Sequence, residues 1–234
     1  MNIHAFYRPF LRYFRGKRMA EFYRLFGITS ETKVLDVGGT IATWQLSGFR
    51  PKVTLLNLTA SRFDGRDMRC VVGDGQRLPF KDGAFDVAFS NSVIEHLGDW
   101  NKQQQLAREI VRVARYYYVQ TPNRRFFVEP HLITPFIHFF PRNWQRRMLR
   151  NCTIWGLVMR PTPQQCDQFL KEVRLLSEAE MGLLFADGKI LREKVAGMTK
   201  SIIAVRTPSQ HFSQESPAIT NAGTLPETSL SGHA

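Results

Sequence analysis

Short apolar segments alternate with helical ones between residues 33 and 121, and this order constrains the fold more than any other feature of the chain. Apolar residues recur at helical spacing over 101–114, between two strand-like segments. Such alternation indicates a parallel sheet covered by helices on both faces, because parallel strands need crossover connections. We therefore predict an α/β fold with a doubly wound, mostly parallel sheet. Its first five strands are predicted at Lys33–Val37, Lys52–Leu58, Arg69–Val72, Ala84–Ser90 and Tyr116–Gln120.

The C-terminal part of the sheet is predicted from a helix start and two further strands. Ser177 and Glu180 have the spacing of a capping box, which opens a helix that continues to about Phe185. Strands are predicted at Lys189–Val195 and Ser201–Val205. Their connection is too short for a crossover helix, so we expect them to pair antiparallel and to complete a sheet of seven strands.

Composition divides the chain into segments around this sheet. Residues 1–27 are predicted to form a basic amphipathic helical segment, and residues 28–206 the main domain. Within that domain, prolines interrupt residues 124–176, which we interpret as an irregular, partly helical insertion that forms a lid and selects the substrate. Residues 207–234 are rich in Ser, Thr, Pro and Gly and poor in large apolar residues, so we predict a disordered tail.

The charge of the chain indicates an anionic partner. Its formal net charge is +12, and the last 28 residues contain no lysine or arginine. Basic and aromatic residues are interleaved at 8–24 and again at 142–150. Each cluster is interpreted either as a solvated helix face, whose long side chains lie over the core, or as an amphipathic helix that contacts a partner or an anionic membrane surface.

Cysteine usage and the start of the chain suggest a location. The three cysteines form no C-x-x-C pair, which argues against a disulfide framework and against a zinc cluster, and we predict no metal site. The first residues lack the uninterrupted apolar stretch of a signal peptide. We expect a cytoplasmic protein, with peripheral contact at the inner membrane surface through its basic N-terminus.

The sequence VLDVGGTIATW at 34–44 places a glycine turn directly after the first strand. It does not fit the G-x-G-x-x-G spacing of a dinucleotide site, and no Gly-Lys-Ser/Thr follows as in a phosphate-binding loop. Asp36 comes before the two glycines, where its carboxylate would repel a pyrophosphate and suit a cationic ligand. In a doubly wound sheet this turn lies at the carboxyl ends of the strands, where ligands bind.

Together with three later features, this turn resembles the class I S-adenosylmethionine-dependent methyltransferases of the small-molecule type. The other features are GDGQRLPF at 73–80, FDVAFSNSVIEHL at 85–97 and the closing antiparallel strand pair. The resemblance implies a Rossmann-like methyltransferase fold whose terminal strand is antiparallel. It also implies S-adenosylmethionine as cofactor, a ligand that carries an amino group and a sulfonium but no phosphate.

The resemblance assigns cofactor-binding roles to residues after each of the first four strands. Asn57 would hold the ribose hydroxyls, Asp74 would accept a hydrogen bond from the adenine amino group, and Ser90 and Asn91 would face the methionine part. The chain departs from the family at Thr40, where a glycine is common, and at Asn57, where an acidic residue is usual. The full predicted set is Asp36, Gly38, Gly39, Thr40, Asn57, Asp74, Gly75, Ser90 and Asn91.

Candidate catalytic residues follow the fourth and fifth strands. Glu129 and His131 flank Pro130 in the segment 121–141, and such a pair could orient an imidazole as a general base. The alternative is that both residues only cap turns around the proline. His96 is a third candidate, for which a structural or cofactor-side role is the alternative.

We expect a methyltransferase acting on an oxygen atom of a small molecule or of a glycan- or lipid-linked intermediate. Two alternatives stay open: an RNA methyltransferase, and a non-catalytic, cofactor-binding regulatory partner. The sequence SNSVIEH after the fourth strand argues against methylation of DNA amino groups, and no RNA-binding signature is present. Nucleic acid is therefore the less favoured partner, and the oligomeric state stays open.

Overall fold

The computed structural model describes residues 3–45, 51–60 and 67–208, with side chains in the first helix from residue 12 onward. Apart from Thr207 and Pro208, the predicted tail at 207–234 lies outside the described residues. The division of the chain at residues 27 and 28 stays a prediction.

A seven-stranded sheet forms the centre of the molecule, in the order β3-β2-β1-β4-β5-β9-β8. Strand order reverses between β1 and β4, which are parallel neighbours and open a crevice at their carboxyl ends. Only β9 runs against the other strands of this sheet, between β5 and β8, so the predicted doubly wound sheet with an antiparallel terminal strand is confirmed. The strands are β1 (Lys33–Val37), β2 (Lys52–Asn57), β3 (Met68–Val72), β4 (Phe85–Asn91), β5 (Ala114–Pro122), β8 (Lys189–Val195) and β9 (Met198–Arg206).

Two apolar cores lie on the two faces of this sheet. On one face, α3 (Trp100–Val113) and α7 (Glu178–Leu184) contribute Leu106, Ile110 and Met181. On the other face, α1 (Ile3–Phe26) and α2 (Ile41–Gln45) lie against the sheet. Because both faces are covered, the central strands are buried along almost their whole length, as their nearly continuous apolar sequences require.

Helix α1 contacts the second core through an aromatic cluster. Phe22 is fully buried, and its ring lies within 6.0 Å of those of Trp44, Phe89 and Tyr118. Tyr13, on a different face of the helix from the buried Phe14, is exposed over 61% of its surface. The C-terminal half of α1 is therefore part of the same packed unit as the sheet.

The insertion at 124–176 is more helical than its prolines predict. It contains a short antiparallel pair, β6 (Val128–Glu129) with β7 (Thr134–Pro135), followed by three helices. Pro141, Pro161 and Pro163 lie just before or at the start of helices, where the missing amide proton costs no hydrogen bond. These prolines therefore mark helix starts and do not make the segment irregular. Its own core contains Leu132, Ile137, Leu149 and Cys166. The helices are α4 (Arg142–Cys152), α5 (Ile154–Met159) and α6 (Pro163–Glu172).

The last two strands form a tighter hairpin than predicted. Val195 pairs with Met198, so the connection is the two residues Ala196 and Gly197, both with positive φ. Positive φ at both loop positions is the conformation of a type I′ turn, whose twist matches that of the strands. Strand β9 therefore begins at Met198 instead of the predicted Ser201.

Replacing Phe22 with alanine tests how firmly α1 is held. The change removes a fully buried ring between the helix and the sheet, so we expect the free energy of unfolding to fall by about 3–5 kcal/mol. Tyr13→Ala, on the exposed side of the same helix, is the matched control and should cost less than about 1 kcal/mol. Urea denaturation of both variants measures the difference. Equal losses would show that the buried contact does not hold the helix.

Candidate functional site

The glycine turn lies at the carboxyl end of β1, where the strand order reverses. Gly38 has a φ of +73°, and its amide donates to the carbonyl of Leu56 over 2.8 Å. A Cβ atom at Gly38 would lie 2.6 Å from the side chain of Val93. Glycine is therefore needed here twice: for the left-handed backbone and for the close approach of the segment that follows β4.

Asp36 is almost completely buried behind this turn. Its Oδ2 accepts a hydrogen bond of 2.7 Å from the indole Nε1 of Trp44, while Oδ1 has no partner among the described residues. A Cβ atom at Gly39 would lie 1.7 Å from Oδ2, so only glycine leaves room for the carboxylate. Burial raises the pKa of Asp36 to about 7, although the Trp44 hydrogen bond and the charge of Arg15 oppose the shift. The unpartnered oxygen fits a ligand that brings a donor or a positive charge.

Asn57 and Thr40 shape the turn from either side. The Asn57 amide nitrogen donates to the Gly39 carbonyl over 3.0 Å, which leaves its side-chain oxygen as an acceptor. The Thr40 hydroxyl lies 3.1 Å from that of Thr43, within the first turn of α2. The two departures from the family pattern thus have local partners: Asn57 fixes the glycine backbone, and Thr40 starts the helix.

Asp74 and Gly75 follow β3 at the edge of the crevice. Asp74 is exposed, and one carboxylate oxygen accepts from the backbone amide of Gln76 over 2.9 Å. A Cβ atom at Gly75 would lie 2.9 Å from Leu106 and 3.3 Å from Val37, so this glycine packs against the core. The structure therefore gives Gly75 a packing role, while both oxygens of the exposed Asp74 carboxylate also accept from the side-chain amide of Gln76.

Ser90 and Asn91 end β4 in different surroundings. Ser90 is fully buried, and its hydroxyl donates to the carbonyl of Val37 over 3.4 Å, between β4 and β1. Asn91 lies at the strand end, where its side-chain oxygen accepts a hydrogen bond of 2.9 Å from Arg18. Of the two residues, Asn91 is therefore held by Arg18 at the strand end, and Ser90 links the two strands beneath it.

Arg18 is a residue of this region that the sequence reasoning missed. It projects from α1, is 8% exposed, and donates to Glu193 over 2.7 Å and to Gln120 over 3.2 Å. The sequence does contain a pattern that predicts its burial. Phe14, Arg18 and Phe22 recur at a spacing of four residues, which places their side chains on one helix face. A charged residue on such an apolar stripe is buried with its helix and needs partners there.

The candidate catalytic residues form a second polar cluster, next to the one that Arg18 forms with Glu193 and Gln120. Glu129 is 2% exposed; its Oε1 accepts from His131 Nδ1 over 2.7 Å, and its Oε2 accepts from the amide of Leu132 over 2.6 Å. The Nε2 atoms of His131 and His96 are 3.2 Å apart. Glu129, His131 and His96, predicted from separate segments, are thus brought together in one chain of hydrogen bonds.

Glu95 adds a buried carboxylate to this cluster. Its Oε2 accepts from the hydroxyl of Thr121 over 2.9 Å, whereas its Oε1 has no partner among the residues that the structure describes. Thr121 directly follows Gln120, which binds Arg18, so the two polar clusters are adjacent at the end of β5. For this residue the sequence offers only the Glu-His pair of SNSVIEH, which does not reveal that Glu95 is buried.

The pKa values within the cluster are displaced in opposite directions. His96 is partly exposed to solvent, but loss of water around its imidazole, followed by the charge of His131, lowers its pKa to about 4. Burial opposes protonation of His131 as well, but the Glu129 carboxylate overcomes it and raises the pKa of His131. Burial also raises the pKa of Glu95. Of the two imidazoles, His131 therefore holds a proton more readily than His96 does.

Comparison with known proteins identifies the domain. Residues 33–116 match the family model described as a methyltransferase domain, which confirms the predicted family. The match includes the glycine turn, Asp74 and the segment through His96, and it ends before Glu129 and His131. No curated protein matches the sequence.

Solved structures show the same fold at low sequence identity. Geranyl diphosphate C-methyltransferase from Streptomyces coelicolor, solved with Mg²⁺, geranyl diphosphate and S-adenosyl-L-homocysteine, is 14% identical, with a TM-score of 0.51 over 82% of this chain and 80% of that one. Phosphoethanolamine N-methyltransferase 2 from Haemonchus contortus, solved with S-adenosyl-L-methionine, is 14% identical, with a TM-score of 0.51 over 76% of this chain and 38% of that one. A methyltransferase from Methanosarcina mazei is less similar, at 14% identity and a TM-score of 0.46 over 76% of this chain and 92% of that one.

Replacing Asp36 with asparagine tests the buried carboxylate. Between its ordinary pKa of 3.8 and the folded-state pKa of about 7, the folded chain holds a proton that the unfolded chain has lost. The contribution of Asp36 to the free energy of unfolding therefore falls as the pH rises through this range. Asparagine does not ionise, so we expect Asp36→Asn to be more stable than the wild type at about pH 8, by roughly 1–4 kcal/mol, and close to it at about pH 4.

Urea denaturation at several pH values measures this difference. Asp67→Asn, which removes an exposed carboxylate, serves as the control and should show no such pH dependence. A stability difference for Asp36→Asn that stays constant with pH would contradict the raised pKa.

Proposed function

We propose that this chain, which carries a class I S-adenosylmethionine-dependent methyltransferase domain at residues 33–116, methylates an oxygen atom of a small molecule or of a glycan- or lipid-linked intermediate. The observation that carries the proposal is the chain of hydrogen bonds Glu129–His131–His96 beside the glycine turn. A hydroxyl acceptor must lose a proton when it is methylated, and this chain offers a place for that proton.

The residues of the glycine turn fit S-adenosylmethionine, the methyl donor of this family. The unpartnered Oδ1 of Asp36 suits the amino group of the methionine part, and the free side-chain oxygen of Asn57 suits a ribose hydroxyl. The exposed carboxylate of Asp74 suits the adenine amino group. When bound, the cofactor supplies a methyl group on a sulfonium. The chain's part is to hold that group in line with the acceptor oxygen.

In this proposal the methyl acceptor binds next to the segment that follows β4. Val93 touches the glycine turn, and Glu95 and His96 follow within one turn of 3-10 helix at Ile94–Leu97. His131 reaches the same place from the insertion, oriented by the Glu129 carboxylate. One oxygen of the Glu129 carboxylate accepts from His131 and orients its ring, and the other accepts from the Leu132 amide and caps the turn.

The surface of the insertion supports an anionic, amphipathic substrate. Asn143, Arg147 and Arg150 line a groove of about 450 Å³ on α4. On the same helix, Trp144 is 58% exposed, and its ring stacks parallel to that of Phe140. Basic groups next to exposed aromatic rings suit a lipid head group and the acyl region beneath it. Among the described helices, none is long and apolar enough to cross a bilayer.

Histidine substitution tests the proposed chemistry. We expect His131→Ala to lower the methylation rate by about 10²–10⁴-fold, because no imidazole at this position can then accept the proton of the acceptor hydroxyl. The dissociation constant for S-adenosylmethionine should stay within about twofold of the wild-type value. Lys102→Ala, on an exposed position of α3, is the control and should keep both values.

The assay combines calorimetric titration of the cofactor with incubation of labelled S-adenosylmethionine and fractionated lysate. Label in the lipid or polar fraction would support the proposal, and label in the RNA fraction would favour the RNA alternative. Failure to bind the cofactor at millimolar concentration would overturn the enzymatic reading and favour a regulatory role.

Charge reversal in the α4 groove tests the membrane contact. We expect the Arg147→Glu/Arg150→Glu variant to lose most of its flotation with vesicles of phosphatidylglycerol and phosphatidylcholine, because like charges repel the anionic surface. Lys81→Glu/Lys189→Glu makes the same change in net charge at exposed positions elsewhere. Equal flotation of the two variants would show that net charge, not this groove, directs binding.

A further inference from the structure

We propose that Glu95, His96 and His131 bind one divalent transition-metal ion. Each of the three offers one ligand atom, and these atoms all lie within 4.8 Å of one another. The proposal differs from the sequence prediction, which excluded a metal site on the basis of cysteine usage alone. Binding of the ion depends only on these residues, whereas the role given to it below rests on the proposed methyl transfer.

The two imidazoles are spaced as ligands of one ion. Their Nε2 atoms are 3.2 Å apart, and their ring planes are nearly perpendicular, at 83°. Two nitrogens bound to a metal at about 2.1 Å, with an angle of about 90–109° between the bonds, lie roughly 3.0–3.4 Å apart. The spacing of His96 and His131 is within this range. An ion between them replaces the single proton that their hydrogen bond requires.

The carboxylate of Glu95 provides an independent sign of a missing partner. Glu95 is fully buried, yet its Oε1 has no hydrogen-bond donor among the described residues. An unpartnered carboxylate oxygen in such a place costs free energy, whereas a cation would satisfy it. Its other oxygen is held by Thr121, which fixes the carboxyl group in place.

Glu129 completes the second coordination sphere. Its Oε1 accepts from His131 Nδ1 over 2.7 Å, which leaves Nε2 as the nitrogen that faces His96. Metal-binding histidines commonly donate their other ring nitrogen to a carboxylate in this way, which fixes the tautomer and strengthens the ligand. The Leu132 amide binds the second oxygen of Glu129, so the orientation is set by the backbone as well.

The ligand set selects the class of metal. Two imidazoles and one carboxylate suit Zn²⁺, Fe²⁺, Co²⁺ or Mn²⁺, whereas Mg²⁺ and Ca²⁺ prefer oxygen ligands. Three protein ligands leave positions open for water or substrate, as in catalytic metal sites. Because His96 is exposed while Glu95 is buried, these positions face solvent on the acceptor side.

This arrangement assigns a role to the ion in the proposed reaction. A hydroxyl oxygen bound at an open position becomes more acidic, and its proton is released to solvent, because the ion then occupies the two Nε2 atoms that take up the proton in the metal-free protein. The oxygen lone pair then forms the bond to the methyl group, and the sulfonium becomes a thioether as its bond to that methyl group breaks. The products are a methyl ether, the demethylated cofactor and one proton.

Titration of the full-length, chelator-treated protein with Zn²⁺, Mn²⁺ and Mg²⁺, without S-adenosylmethionine, tests the site by calorimetry. We expect one equivalent of Zn²⁺ or Mn²⁺ to bind and Mg²⁺ to bind at least tenfold more weakly. His96→Ala and His131→Ala should each weaken binding at least tenfold, and Glu129→Gln by about 10–100-fold. Co²⁺ loading should give visible absorption bands that shift in these variants.

His138→Ala is the matched control, since His138 is another partly exposed histidine of the insertion outside the proposed ligand set, and it should bind as the wild type does. His96 is exposed, so His96→Ala should keep the circular dichroism spectrum and the thermal midpoint. Absence of stoichiometric binding, or equal affinity of wild type and His96→Ala, would overturn the proposal. A separate cofactor titration shows whether the methyltransferase assignment stands regardless of that result.

Discussion

The contact between Gly38 and Val93 is the constraint on which the rest of the site depends. A side chain at Gly38 would overlap Val93, so the segment after β4 can lie directly on the glycine turn only because that position carries no Cβ atom. Glu95 and His96 follow Val93 within one turn of 3-10 helix, so this contact holds the segment that carries them against the glycine turn. The proposed donor and acceptor sides of the reaction therefore meet where the Val93 side chain lies on Gly38.

Arg18 links this region to the helix that covers the opposite face. Its guanidinium bonds to Glu193 on β8, to Gln120 on β5 and to Asn91 at the end of β4. Lys200 also binds Glu193, so the buried cluster contains two cations around one carboxylate. Breaking such a network by removing one member leaves an uncompensated buried charge. Helix α1 is thus held to the end of the sheet by ionic contacts as well as by aromatic packing.

The fold followed from sequence because its signals are local and periodic. Apolar stretches, the Ser177 capping box and the short final connection each predict one element, and the structure has each within a few residues. The details that the sequence did not reveal depend on partners distant in the chain. The burial of Arg18, the link from Asn57 to Gly39 and the unpartnered oxygen of Glu95 all arise when separate segments meet. Glu129, His131 and His96 were predicted individually, but no spacing in the sequence indicates that their side chains form one chain of hydrogen bonds.

The small core of the insertion has a consequence for how this molecule can diversify. Leu132 is buried in that core, and its amide also binds the Glu129 carboxylate that orients His131. The glycine turn, in contrast, is built by the sheet and α2. Under the proposed function, mutations that repack the insertion can therefore change acceptor selection through the Leu132 amide and leave the glycine turn as it is. On that proposal a new acceptor needs changes in the insertion alone, because the residues that fit the methyl donor lie on other elements.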